Sequence, residues 1–243
     1  MAFRSVIDGQ NARPLIEAAI AEIGPMIEPQ PAPAGVIRHY DGKLPAIMLD
    51  IWENYGFGDL AGGRLRLCIP EALQPAVDAL FDGDPYLGGD TTLLAYTAFG
   101  DLILWNARHQ MVYVNMQLSL VEAPALINPA LRDEPDKAVY LGLLRREAWR
   151  NETYDNQRRP MFPLALEAYG PLPPLSIYGM QPAIPYDEPF TVENHRPVPA
   201  ETWLEEKIGG GVFTLGELTG PRMTIREIGP LQPGEVLQDP GAL

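Results

Sequence analysis

Cysteine is almost missing from this chain, and what is scarce in it narrows its function before any motif is sought. The lone Cys68 rules out an internal disulfide, and its setting, Leu65-Arg66-Leu67-Cys68-Ile69, reads as an apolar strand holding a buried, inert thiol. Serine is nearly as rare. Ser5, Ser119 and Ser176 are the only three, and none lies on the glycine-flanked elbow that presents a nucleophile beside a histidine. The three histidines, His39, His109 and His195, are far apart. The pairs His39/Asp41 and Glu193/His195 supply too few ligands for a zinc or iron site, so no metal and no cofactor are expected. No apolar run approaches the ~20 residues that cross a bilayer, and no basic-then-apolar leader opens the sequence, so the chain is expected to be cytoplasmic.

Positive charge is also short. Eighteen lysines and arginines face 32 carboxylates, a net charge of −14 spread evenly as −7 over residues 1–120 and −7 over residues 121–243. A surface of this sign repels phosphate backbones and anionic lipid, which argues against nucleic-acid or membrane binding and would draw in a basic protein. Hydrophobic residues at 46% and charged residues at 21% are those of a folded globular chain.

Proline is what the chain has in excess: 26 residues, concentrated in a few stretches that read as stiff connections. Between them, helical spacing marks Leu15–Ile23, a segment from Pro45 to Tyr55 stopped by Gly56, and a weaker helix over 71–81. From Thr91 the pattern turns to strands, Thr91–Thr97, Asp101–Trp105 and Met111–Leu118, an antiparallel meander with one apolar and one mixed face. That pattern predicts helices covering one side of the sheet. Residues 121–135 hold three prolines without a period and read as a linker. Beyond them come a helix over about Asp136–Trp149, one over Pro160–Tyr169, short strands at Ser176–Gly179 and Ala183–Tyr186, and a helix over Ala200–Ile208. A last hairpin is expected from Val212–Leu218 and Arg222–Ile228. The expected fold is α+β, a mostly antiparallel sheet flanked by helices, in two consecutive units over 10–120 and 136–228.

One phosphate-type motif is formally present. Gly56-Phe57-Gly58-Asp59-Leu60-Ala61 fits the spacing of a dinucleotide-binding turn, but that turn needs a strand before it and a helix after it. Here a helix precedes and an apparent strand, Arg64–Ile69, follows, so the segment reads as a helix stop and a flexible turn. The stretch Asp78, Asp82, Asp84 and Asp90 contains no basic residue between Val77 and Asp90 and ends in a glycine-rich loop. It is a candidate docking loop, alongside readings as a solvated loop or a cation site. Tyr86, Phe57 and Trp105 are the aromatic anchors expected at the surface, whereas Trp52, Tyr55 and Trp203 fit buried stripes.

Two blocks carry a family resemblance. Lys43-Leu44-Pro45, Trp52-Glu53-Asn54-Tyr55-Gly56-Phe57-Gly58, Thr97-Ala98-Phe99-Gly100-Asp101-Leu102-Ile103-Leu104-Trp105-Asn106 and Val112-Tyr113-Val114-Asn115 resemble the GAD-like domain. Tyr169-Gly170-Pro171-Leu172 and Ile177-Tyr178-Gly179-Met180-Gln181-Pro182-Ala183 resemble the carboxy-terminal domain that accompanies it. The resemblance implies an immunity protein, a non-enzymatic cytoplasmic antitoxin that binds a cognate DNase toxin of the type VI secretion system. A carboxylate-based hydrolase and a general protein-binding adaptor are the alternatives.

Overall fold

A computed structural model of the chain describes residues 12–184, 188–218 and 225–231. Helix α1 (Ala12–Ile23) buries Ala12, Ile16, Ala19 and Ile20 on one stripe. Strand β1 (Ile27–Gln30) and the short helix α2 (Ala34–Tyr40) follow. Helix α3 (Ala46–Tyr55) begins behind Pro45, buries Ile47, Met48, Ile51 and Trp52, and stops at Gly56, whose φ is +77°. That stop must be a glycine for a second reason: a Cβ there would lie 2.2 Å from the Gln30 carbonyl oxygen.

The flexible turn expected after Gly56 is instead strand β2 (Phe57–Leu60), paired with β1 and with β3 (Leu65–Leu67). Gly58 permits the pairing, since a Cβ on it would meet Ile27 O at 2.8 Å. Helix α4 (Gln74–Leu80) leads into β4 (Thr91–Thr97), β5 (Leu102–Asn106), β6 (Gln110–Asn115) and β7 (Leu120–Glu122). The segment expected to be a linker thus opens on a strand and continues into helix α5 (Pro124–Ile127).

All of these strands pair antiparallel with their neighbours in chain order. The sheet then continues through β10 (Thr214–Leu215), parallel to β7, and β11 (Arg226–Glu227), to nine strands in the order β1-β2-β3-β4-β5-β6-β7-β10-β11. The fold is α+β with a mostly antiparallel sheet. The turn of the expected last hairpin, Thr219-Gly220-Pro221, and part of the expected strand at 183–186 lie outside the described residues.

Helices cover both faces of this sheet, not one. Leu93, Tyr96, Leu102, Leu104, Val112 and Val114 face a core shared with α4 and with α8 (Ala200–Gly210). Leu94, Ala95, Ile103, Trp105 and Met111 face a second core shared with α1, α3 and α6 (Pro135–Val139). A bulge between Leu93 and Ala95 explains why the consecutive Leu94 and Ala95 share a face. The "mixed" face of the meander is covered because its polar members sit at strand ends. Strand β5 is buried at all five positions.

The helix expected over 136–149 also changes character. Helix α6 runs into a wider π turn, Tyr140–Leu144, closed by Arg145 N–H donating to Tyr140 O at 2.9 Å, and the helix stops there. A separate 3-10 turn covers Ala148–Asn151. Helix α7 (Met161–Tyr169) follows, and β8 (Ser176–Met180) and β9 (His195–Pro199) form a separate two-stranded antiparallel ribbon. Phe99, Phe162 and Tyr178 form a small third core that joins them to the turn before β5. No helix among the described residues is long and apolar enough to cross a membrane.

A candidate docking cleft beside the sheet

Strand β6 lies between β5 and β7, and what packs over its inner face stands off far enough to leave a cleft. One wall is α6 with the π turn, and the other is α5 with the segment that follows it. The cavity between them is about 930 Å³. A second, of about 230 Å³, continues past Trp149 toward Tyr154 and Leu118 and shares Tyr113, Glu122, Arg146 and Arg150 with the first.

The floor is fixed by Tyr113 of β6. Its hydroxyl reaches so close to Gly142 in the π turn that a Cβ at 142 would sit 2.2 Å from it. The Arg146 guanidinium lies over the Tyr113 ring, 4.2 Å from its centre. Arg146 donates from Nε to Asn151 Oδ1 at 3.0 Å and from Nη2 to Arg150 O at 3.4 Å. Burial lowers the Arg146 pKa, and the nearby Tyr113 and Asp101 oppose that. Arg150 donates to Glu122 Oε2 at 3.2 Å, sits 3.5 Å from Glu147, and covers the Trp149 ring at 4.6 Å. Lys137 pairs with Glu134 and Arg145 with Glu22. The charges of the cleft are therefore largely cancelled in place, which leaves its apolar rim as the unmatched feature.

That rim is the clearest surface anomaly. Nine large hydrophobic side chains are exposed among the described residues, and five of them, Leu118, Leu131, Leu141, Trp149 and Tyr154, border these two joined cavities. Trp, Tyr and Arg gathered around a concave apolar centre are the composition of protein-binding hot spots.

The residues singled out from sequence fall elsewhere. Phe57 and Trp105 are not at the surface; both are buried in the core under α3, Phe57 with its ring 5.2 Å from that of Trp52. Strand β2, expected to be a turn, directs Phe57 inward, and Trp105 is covered by the helices on the second face of the sheet. Asp78 is exposed and accepts from Gln74 Nε2 at 2.9 Å, Asp82 is exposed, and Asp90 pairs with Arg108 at 3.0 Å.

Asp84 points inward, where it receives Tyr86 N–H at 3.0 Å, Leu87 N–H at 2.9 Å, Gly229 N–H at 3.1 Å and an ion pair from Arg226 at 2.7 Å. The same guanidinium lies 5.1 Å from the half-buried Tyr86 ring. The acidic loop is thus strapped by the chain's own residues 225–231, and its exposed carboxylates are Asp78, Asp82 and Asp90. No group of three histidine, cysteine, aspartate or glutamate side chains able to hold a metal occurs among the described residues.

The cleft left one trace in the sequence. Val139, Leu143 and Leu144 turn inward as the helical period requires, but Leu141 and Trp149 belong to no buried stripe, and α6 cannot bury both sets.

Residues 14–118 match the family model of the GAD-like domain, so this part of the chain is a GAD-like domain. The chain is similar to Atu4351 from Agrobacterium tumefaciens, known from a crystal structure. The two share 27% identity with a TM-score of 0.80, over 89% of this chain and 99% of that one. A comparison with curated proteins finds no match.

Proposed function

We propose that this chain, in which residues 14–118 form a GAD-like domain, is an immunity protein that neutralises a nuclease toxin by binding it in the cytoplasm. The observation that carries the binding reading is the gathering of exposed Leu118, Leu131, Leu141, Trp149 and Tyr154 around one cleft. A cavity of about 930 Å³ has room for several side chains of a protein segment at once.

The nature of the partner rests on two supports. The net charge of −14 favours a basic protein, and a nuclease that grips DNA must be basic. The resemblance of its GAD-like motifs to those of type VI secretion immunity proteins supplies the second. In this reading apolar anchors of the toxin fill the cleft while the acidic surface around it speeds the encounter.

Co-expression with candidate nuclease toxins, sought first among the neighbouring genes, tests the proposal. The expected result is restored growth and a complex that co-purifies, and Leu141→Asp should weaken that complex by about 2 kcal/mol, on the order of thirtyfold. Growth arrest despite co-expression, with no complex recovered, would overturn the immunity reading. A complex indifferent to Leu141→Asp and Leu131→Asp would move the interface away from the cleft.

A further inference from the structure

The charged side chains along the docking cleft pair off, with one exception. The larger cavity is lined by the cations Lys137, Arg145, Arg146 and Arg150 and by the carboxylates Glu122, Glu134 and Glu147. Lys137 pairs with Glu134, Arg145 with Glu22, and Arg150 with both Glu122 and Glu147. Arg146 forms no ion pair among the described residues. The smaller cavity adds Asp101 and Glu152, and both are held elsewhere. Glu152 accepts from Arg64 Nε at 3.2 Å, and Asp101 accepts Met116 N–H at 2.7 Å.

Arg146 is nevertheless held in one orientation. Its guanidinium rests on the Tyr113 ring, while Nε donates to Asn151 Oδ1 and Nη2 to Arg150 O. Both acceptors are neutral, so they orient the group without cancelling its charge. Burial lowers its pKa against the opposing influence of Tyr113 and Asp101, which marks a cation only partly compensated. A guanidinium has more N–H donors than those two bonds use. Nη1 makes no hydrogen bond among the described residues and is not sealed from solvent. Arg146 lines both cavities, so it stands where they join.

A fixed, half-buried cation with a free donor is suited to an anion. The surroundings decide which anion. Free phosphate or a nucleic acid would have to approach a chain of net charge −14 and would leave the exposed Leu131, Leu141 and Trp149 unused. A carboxylate carried on a protein segment meets neither obstacle. The apolar neighbours of that residue cover the rim, and a partner that is basic as a whole is drawn in by the same negative field.

We propose that Arg146 receives one aspartate or glutamate side chain of the docked partner through Nη1, while apolar side chains of the same segment fill the cleft. This rests on the reading of the cleft as a docking surface, but not on the partner being a nuclease. A basic protein without a carboxylate at that point would bury the Arg146 charge unpaired and lose affinity, so the residue selects among partners.

Random peptides displayed on phage and selected on the full chain test the proposal. The enriched peptides should carry an acidic residue flanked by aromatic or aliphatic ones. Replacing that residue by its amide, or making Arg146→Gln, should each weaken binding about tenfold, and the two together no more than either alone. Arg146→Lys should retain part of the affinity, and the change on the peptide reads the contact without touching the fold. Enrichment of peptides with no acidic residue, additive losses, or no enrichment at all overturns the proposal. Inorganic phosphate should leave the Arg146 side-chain nitrogen resonances unmoved, and a shift would overturn the assignment to a protein carboxylate. Peptides bound through Arg146 with no nuclease captured by the chain would leave this site standing and remove the immunity reading. A nuclease complex indifferent to Arg146→Gln would do the reverse.

Discussion

Asp84 shows what one side chain contributes when its partners come from a distant part of the chain. Burial works against its ionised form, but hydrogen bonds from Arg226, Leu87 N–H and Gly229 N–H outweigh it and hold the carboxyl below its ordinary 3.8. A depressed carboxylate stabilises the fold at pH above its unfolded value, and that contribution is lost as pH falls through the lower folded value. Arg226→Met leaves the carboxylate buried without its counter-charge. Urea unfolding near neutral pH should show a loss of about 3 kcal/mol, and the acid-side loss below pH 3.8 should flatten in the variant. Cys68 gives a second residue-scale test. Burial pushes its thiol up to about 12, so alkylation should track global unfolding, and fast labelling of the native protein would contradict its placement.

At the scale of elements, the π turn over Tyr140–Leu144 is what separates the observed chain from the straight helix that the sequence suggests. The widened turn brings Gly142 against the Tyr113 hydroxyl, a contact between residues on different elements that no helical period encodes. Gly142→Ala should therefore destabilise the fold by about 1–3 kcal/mol, and adding Tyr113→Phe, which removes the clashing oxygen, should recover part of the loss. Equal instability in the single and double variants would place the strain elsewhere. The same element explains the cleft. A helix continued to Trp149 would carry Arg145, Arg146 and Arg150 as an exposed basic end, whereas the stop at Arg145 lets Arg146 fold back over Tyr113. Strand β2 was illegible for a related reason: two glycines in four residues suggest a turn, and only the close approach of β1 requires them.

At the scale of the whole molecule, burial of the sheet on both faces and the excess of negative charge act on different properties. Trp52 is fully buried in the core beneath α3, so Trp52→Ala should cost about 3–5 kcal/mol and report on stability, not on recognition. Charge acts at a distance: association with a basic partner should slow as salt rises, because attraction is screened over about 10 Å near 0.1 M. Reversing the exposed Asp78 and Asp82 to lysine should slow capture without lowering the unfolding midpoint, and an unchanged rate would show that this face takes no part in the encounter. The sequence by itself determined α1, α3, α7, α8 and the β4–β6 meander, since each is set by local periodicity, and each of these helices has a proline before it or a glycine after it. It also determined the GAD-like match over residues 14–118. Only the tertiary structure decided that Phe57 and Trp105 are core, that Arg226 reaches back 142 positions to Asp84, and that Leu118, Leu131, Leu141, Trp149 and Tyr154 share one rim. Those relations depend on which distant elements pack together, and local pattern carries no information about that packing.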